Sequence, residues 1–292
     1  MDPITVVVRR GTVEEARHLV HAVAVQDGAV VAEAGEPQLV AYLRSSAKPF
    51  QALPLVRARD DLTQAEIAIA SASHLARPEQ LDAVRSLLAK AEATEDDLEC
   101  GAEPTKLEHN CSGKHAGMLA LCRTRGWDPE GYRIAGHPVQ EACAAEVYAA
   151  AGVKASEVPT AVDGCGVVTF GLPLERMALM FSRFEEVEGG AEVAAAMRAH
   201  PQLIRGPGSP DTVLMETLPG WAAKGGAEGV LCAVGPDGLG VALKAEDGAW
   251  RATGPALAAF LGRLGHMVAP LAVTPLTNSR GERVGEVLAR RT

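Results

Sequence analysis

The chain has 292 residues, 47% apolar and 22% charged, with a formal net charge of −9 from 28 basic and 37 acidic side chains. That balance excludes disorder, collagen and coiled coil for the chain as a whole. The negative charge argues against nucleic acid or an anionic membrane as partner. No apolar stretch is long enough to span a bilayer, and the acid at Asp2 with a short apolar run behind it does not read as a secretory signal. The chain is therefore expected to be complete and cytoplasmic.

Taken in chain order, residues 4–9 form a β-branched run that predicts a strand. Asp27-Gly28 between apolar runs predicts a hairpin over 21–32. Residues 44–50 read as a helix start, with a serine cap and proline in the first turn. Residues 66–73 fit a strand or a helix. Residues 78–93 carry Leu81, Val84, Leu87, Leu88 and Ala91 on one helical face. Helices are expected over 111–125 and 137–151, and again over 174–183, 191–200 and 254–267. Residues 159–170 read as a strand broken by Asp163-Gly164-Cys165-Gly166, and 229–234 with 238–244 as a second hairpin. Strands at both ends around a helical middle predict an α+β fold, with an antiparallel sheet formed from both termini. No linker divides the chain, so a single domain over 1–292 is expected.

The six cysteines include no CxxC pair, which excludes a zinc knuckle and a thioredoxin-type site. Four read as free buried thiols. Cys111 and Cys165 stand among glycines and polar residues. Arginine outnumbers lysine 21 to 7 and asparagine occurs twice, so the remaining Lys and Asn draw attention.

Ser45 and Lys48 are three apart, on one face of a helical turn. A neutral lysine there can take the serine proton and make a nucleophile for acyl transfer. The bland alternative is a cap followed by a solvated lysine, and Ser46 is a second candidate nucleophile. In His109-Asn110-Cys111-Ser112-Gly113-Lys114-His115-Ala116-Gly117, the missing leading glycine and His115 in place of Ser/Thr exclude a phosphate-binding loop. Cys111 and Lys114 share a face and could hold zinc; alternatively the glycines simply let a helix start pack tightly. Asp163-Gly164-Cys165-Gly166 suggests a bent strand end, or a tight turn over a buried thiol. Lys224, beside Gly225 and Gly226, is either a cleft lysine or a loop lysine. Ser73 in Ala72-Ser73-His74 is either a second nucleophile or a polar strand end.

Together, and in this order, 44–54, Ala72-Ser73-His74, 109–118, 137–140, 163–167 and 226–229 resemble the Rhizobium-type (class 3) L-asparaginases, also called asparaginase II or thermolabile-type, from about residue 5 to Gly285. The resemblance implies a fold similar to serine β-lactamases and serine-dependent glutaminases, and hydrolysis of the linear amide of L-asparagine to L-aspartate and ammonia. It implies two serine–lysine tandems, Ser45 with Lys48 and Ser73 with Lys224. It implies a zinc site of Cys111, Lys114, Cys165 and water that is structural or substrate-positioning rather than essential to the serine chemistry. Arg44, His74, Asn110, Asp163 and Gly164 are then expected to bind substrate, and a homodimer is expected. Two departures are visible: Leu75-Ala76-Arg77 stands where a Ser-Gly pair is expected, and Gly166-Val167-Val168-Thr169 lacks a proline. The competing readings are a glutaminase or other Ser-Lys amidohydrolase on the same scaffold, and a non-catalytic zinc or amino-acid binding module. A penicillin-recognising enzyme is disfavoured by the absence of a downstream Lys-Thr-Gly.

Overall fold

In a computed structural model that describes residues 1–290, the strands are β1 (Ile4–Arg10), β2 (Val13–Gln26), β3 (Ala29–Ala34), β4 (Val40–Tyr42), β5 (Thr160–Val162), β6 (Val168–Pro173), β7 (Ala222–Gly226), β8 (Val230–Val234), β9 (Gly240–Ala245), β10 (Val273–Thr277) and β11 (Arg283–Ala289). The helices are α1 (Lys48–Ala58), α2 (Gln64–Ala70), α3 (Pro78–Lys90), α4 (Ser112–Arg125), α5 (Pro138–Ala151), α6 (Leu174–Ser182), α7 (Gly190–Ala199), α8 (Pro201–Ile204), α9 (Pro210–Thr217), α10 (Thr253–Arg263) and α11 (Ala269–Ala272). They form two compact units: residues 1–41, 172–182 and 208–292, and residues 42–171 with 183–207. Neither unit is one continuous segment, so no linker is visible in the sequence. No helix among the described residues is long and apolar enough to cross a membrane.

The first unit is built on an antiparallel sheet in the order β10-β11-β1-β2-β9-β8-β7, with β3 also paired to β2. Both ends of the chain meet in it: Val6 lies opposite Ala289 and Val8 opposite Val287. The hairpin predicted at Asp27-Gly28 joins β2 and β3, and both turn residues have positive φ. Helix α6 packs on β2, β8 and β9. A Cβ on Gly240 would collide with the backbone of Ala178 and Ser182, so glycine there sets how closely helix and sheet approach. The fold is therefore α+β, with mixed helix and antiparallel sheet.

The second unit is mainly helical. The ambiguous stretch 66–73 is helical only to Ala70, in α2, with 71–73 leaving the helix; the helix starts where Thr63 and Glu66 form a reciprocal capping box, the Thr63 N–H donating to Glu66 Oε2 at 2.8 Å and the Glu66 N–H to Thr63 Oγ1 at 3.3 Å. Helix α5 starts with His137 at the cap and Pro138 behind it, and stops at Gly152 in the left-handed region. Helix α4 is buried from Ser112 to Cys122 and touches α1, α2 and α3. A helix buried all round sits at a core, and α4 carries the cysteine–lysine motif into this one. The serine cap expected at 44–50 is absent. Residues Arg44–Ala47 are a 3-10 turn with no side-chain cap, and α1 begins at Lys48.

Candidate active site

Eleven of the twelve expected site residues fall in the second unit. Helix α1 begins with Lys48, whose N–H bonds the carbonyl of Ser45, so the lysine and the serine share a turn. The residue before Ser45, Arg44, is held at φ 50, a left-handed conformation that a non-glycine residue adopts at a cost of about 1–3 kcal/mol. The Arg44 N–H donates to Thr169 Oγ1 at 3.1 Å, and its guanidinium Nε donates to Asp163 Oδ1 at 2.6 Å. Asp163 Oδ1 also accepts from the Gly164 N–H at 2.8 Å. Burial opposes the charge on Asp163, but Lys114, Arg44 and the Gly164 N–H outweigh it and lower its pKa. A guanidinium and a carboxylate thus stand side by side on the turn of Ser45.

Lys48 is fully buried and donates to the Ala72 carbonyl; its Nζ lies 3.0 Å from Ser73 Oγ. Burial lowers its pKa, partly countered by Cys111 and reinforced by Lys114. The lysine expected to serve Ser45 therefore also meets Ser73. Ser45 is half-buried, whereas Ser73 is 3% exposed and Ser46 is buried. The Ser73 backbone is pinned: its N–H donates to the Ile204 carbonyl at 2.8 Å, and its carbonyl accepts from Arg205 at 3.3 Å. Gln80 reinforces this, accepting from the N–H of Leu75 and Arg77 and donating to the carbonyls of Gln202 and Arg205. The departing segment Leu75-Ala76-Arg77 is thus anchored, with Leu75 exposed.

His74 is buried and both ring nitrogens are engaged. Nδ1 accepts from the Ala76 N–H at 3.1 Å, so Nε2 bears the hydrogen and donates to Ser112 Oγ at 2.8 Å; that hydroxyl donates to the Leu107 carbonyl at 2.7 Å. Burial lowers the His74 pKa to about 3, helped by Lys48, His109 and Arg205. Asn110 is half-buried; its Oδ1 accepts from Cys111 Sγ at 3.0 Å and its carbonyl accepts from the His74 N–H.

Cys111, Lys114 and Cys165 gather at the start of α4. They are close to Ser73 because α4 starts against the end of α2: a Cβ on Gly113 would fall on the carbonyl of Ile69. Lys114 Nζ donates to Cys165 Sγ at 3.0 Å, and Cys111 and Cys165 hydrogen-bond each other. That hydrogen bond is the largest cause lowering the Cys111 pKa well below a thiol's usual range; burial opposes it, and the charges of Lys48 and Lys114 assist. Burial pushes Lys114 down, but the two sulfurs and Asp163 raise it overall. Burial pushes Cys100 and Cys143 up to about 12 and Cys122 up to about 11, as ordinary buried thiols, and Cys232 is buried in β8. Among the described residues, no three His, Cys, Asp or Glu side chains form a metal cluster. The two soft sulfurs fit zinc only with Lys114 as a third donor, and that set is dry and convergent.

Lys224 lies in the first unit, on β7, buried, with Nζ donating to the Gly225 carbonyl at 2.6 Å. The Gly225 N–H is held by the buried carboxylate of Asp211 at 3.0 Å. Sequence reasoning missed Asp211, Arg205, His115 and Tyr132. His115 adjoins Lys114 in the quoted motif; no signal pointed to the others.

The profile of the family described as L-asparaginase II matches residues 6–289. No curated protein matches the sequence. Among solved structures, a chain described as a probable glutaminase from Bacillus subtilis complexed with 6-diazo-5-oxo-L-norleucine is similar over 85% of this chain and 84% of that one, with 16% identity and a TM-score of 0.40, a likeness too weak to bear on function. With nearly its whole length matched, the chain belongs to the L-asparaginase II family.

Proposed function

We propose that the protein hydrolyses the side-chain amide of L-asparagine to L-aspartate and ammonia by serine–lysine catalysis. The observation that supports this reading is the contact of buried Lys48 with Ser73 Oγ at 3.0 Å, one turn from Ser45. A lysine in a dry pocket loses part of its preference for charge and can act as a base. Ser45 is the nucleophile, because its hydroxyl is the less buried of the two and the acyl-enzyme has to form on an oxygen that substrate can reach. Its oxygen attacks the amide carbon, and its proton passes to Lys48 with Ser73 as relay. The amide nitrogen leaves as ammonia, taking that proton. Water then attacks the ester, freeing aspartate and restoring the serine proton.

Arg44 and Asp163 suit the α-carboxylate and α-ammonium of an amino acid, while His74 and Asn110 position the segments around Ser73 and Cys111. Lys224 enters through the family resemblance. Cys111, Lys114 and Cys165 would hold zinc, which when bound supplies a fixed positive centre that orders the loops and the polar ends of the substrate. Ammonia release from asparagine, glutamine and a β-lactam probe tests the reading. Turnover of asparagine is expected to exceed that of the other two; no release from any of them would reduce the protein to a binding module.

A further inference from the structure

His115 is fully buried near the start of α4, and its two nitrogens differ sharply. Nδ1 lies 2.7 Å from the Tyr132 hydroxyl, and the rings meet edge to face with centroids 5.4 Å apart. The same hydroxyl accepts from the Glu99 N–H at 2.9 Å. A phenol has one proton to donate. With the Glu99 N–H arriving as a donor, the acceptor within reach of that proton is His115 Nδ1. Nδ1 therefore presents its lone pair, and the ring hydrogen sits on Nε2. Nε2 is buried and meets no oxygen or nitrogen partner; the group the ring engages on that side is the Cys165 sulfur, with Lys114 adjoining.

We infer that Tyr132 fixes the tautomer of His115 so that its Nε2–H serves as a donor to the sulfur of Cys165, and Nε2 does not act as a metal ligand. His115 is thus a positioning residue behind the sulfur pair. A lone pair on Nε2 would require Nδ1–H to donate to the Tyr132 oxygen, and the phenol proton would then lose its acceptor inside the protein. Lys114 already donates to Cys165 at 3.0 Å, so the ring adds a second N–H donor to the same sulfur. Hydrogen bonds to ligand atoms set their orientation and charge density, which is how residues behind a metal set tune its affinity. The tautomer stands without any metal; its effect on zinc rests on the reading of Cys111, Lys114 and Cys165 given above.

The test is NMR of the imidazole nitrogens in isotope-labelled, metal-free full-length protein. A pyridine-like Nδ1 and a protonated, pyrrole-like Nε2 are expected for His115, with Tyr132→Phe moving the populations toward Nδ1–H. Nδ1–H in the wild type would overturn the inference whatever the variants do. With cadmium added as the probe metal, coupling between cadmium and Nε2 would also overturn it, since the ring would then be a ligand. Zinc affinity, measured by competition with a chromophoric chelator, is expected to fall about 10–100-fold in His115→Phe. Unchanged affinity there would remove the role toward the Cys165 sulfur. None of these readouts involves asparagine, so a protein with this tautomer and no amidase activity would sink only the functional reading.

Discussion

Ser45, Lys48 and Ser73 make the sharpest claim at the scale of single residues. Ser45→Ala and Lys48→Met are each expected to lower kcat at least about 10³-fold, equivalent to about 4 kcal/mol of barrier, with the circular dichroism spectrum unchanged. Steady-state ammonia release decides it, and activity within tenfold of the wild type in either variant would refute the assignment. Wild-type protein prepared without chelator is expected to carry about one zinc per chain by elemental analysis, and Cys165→Ala is expected to lose it. His74 gives a pH dependence. Burial holds its folded pKa at about 3, against an ordinary value of about 6.5, so between these two values the unfolded chain binds a proton that the folded protein does not. Stability should therefore be full above about pH 6.5 and fall toward pH 3, by about 1.4 kcal/mol per pH unit for this one group. Urea titrations of His74→Gln across that window should show a shallower slope than the wild type; equal slopes would mean that His74 is not the group responsible. Each serine, lysine and cysteine here was legible because its motif is local. The meeting of Lys48 with Ser73, 25 residues on, was not, and neither was the Tyr132–His115 contact across 17 residues. Such pairings are made by tertiary packing and leave no periodicity to read.

Among the elements, α4 depends most on the absence of side chains. Gly113→Ala would press a methyl into the Ile69 carbonyl, which belongs to backbone and cannot swing away. A loss of about 1–3 kcal/mol or more is expected in thermal or urea unfolding, together with displacement of Cys111 from Ser73. Gly262 in α10 is the contrast, since a Cβ there meets nothing within 4 Å and its φ is ordinary. Gly262→Ala should stabilise by about 0.5–1 kcal/mol, raising Tm by a few degrees. A drop in Tm would show that the helix end needs glycine. Legibility among the elements followed punctuation. The Asp27-Gly28 turn and the Pro138-to-Gly152 limits of α5 were plain in the sequence. The first half of β2, exposed and charged from Val13 to Arg17, has no alternation to mark it as strand, and β10 is a five-residue exposed strand interrupted by Pro275.

Across the whole molecule, the sequence carried the class of fold, a sheet drawn from both ends around a helical middle, because the terminal segments are rich in β-branched residues. It could not carry the division into two interleaved units, which depends on which segments return to the sheet after leaving it. The position of β11 between β10 and β1 bears on how the protein is born. On a ribosome adding about 5–20 residues per second, β1 emerges roughly 15–60 s before the strand that covers its flank. Throughout that interval a strand with Val6, Val7 and Val8 waits with open hydrogen-bonding groups, an invitation to pair with a neighbouring nascent chain. Cooler growth or added chaperone should therefore raise soluble yield, and a chain stopped at Glu282 should partition into the insoluble fraction even though the helical unit is complete. If that shortened chain stays soluble and monomeric by light scattering, β1 is shielded during synthesis by something other than its final partner.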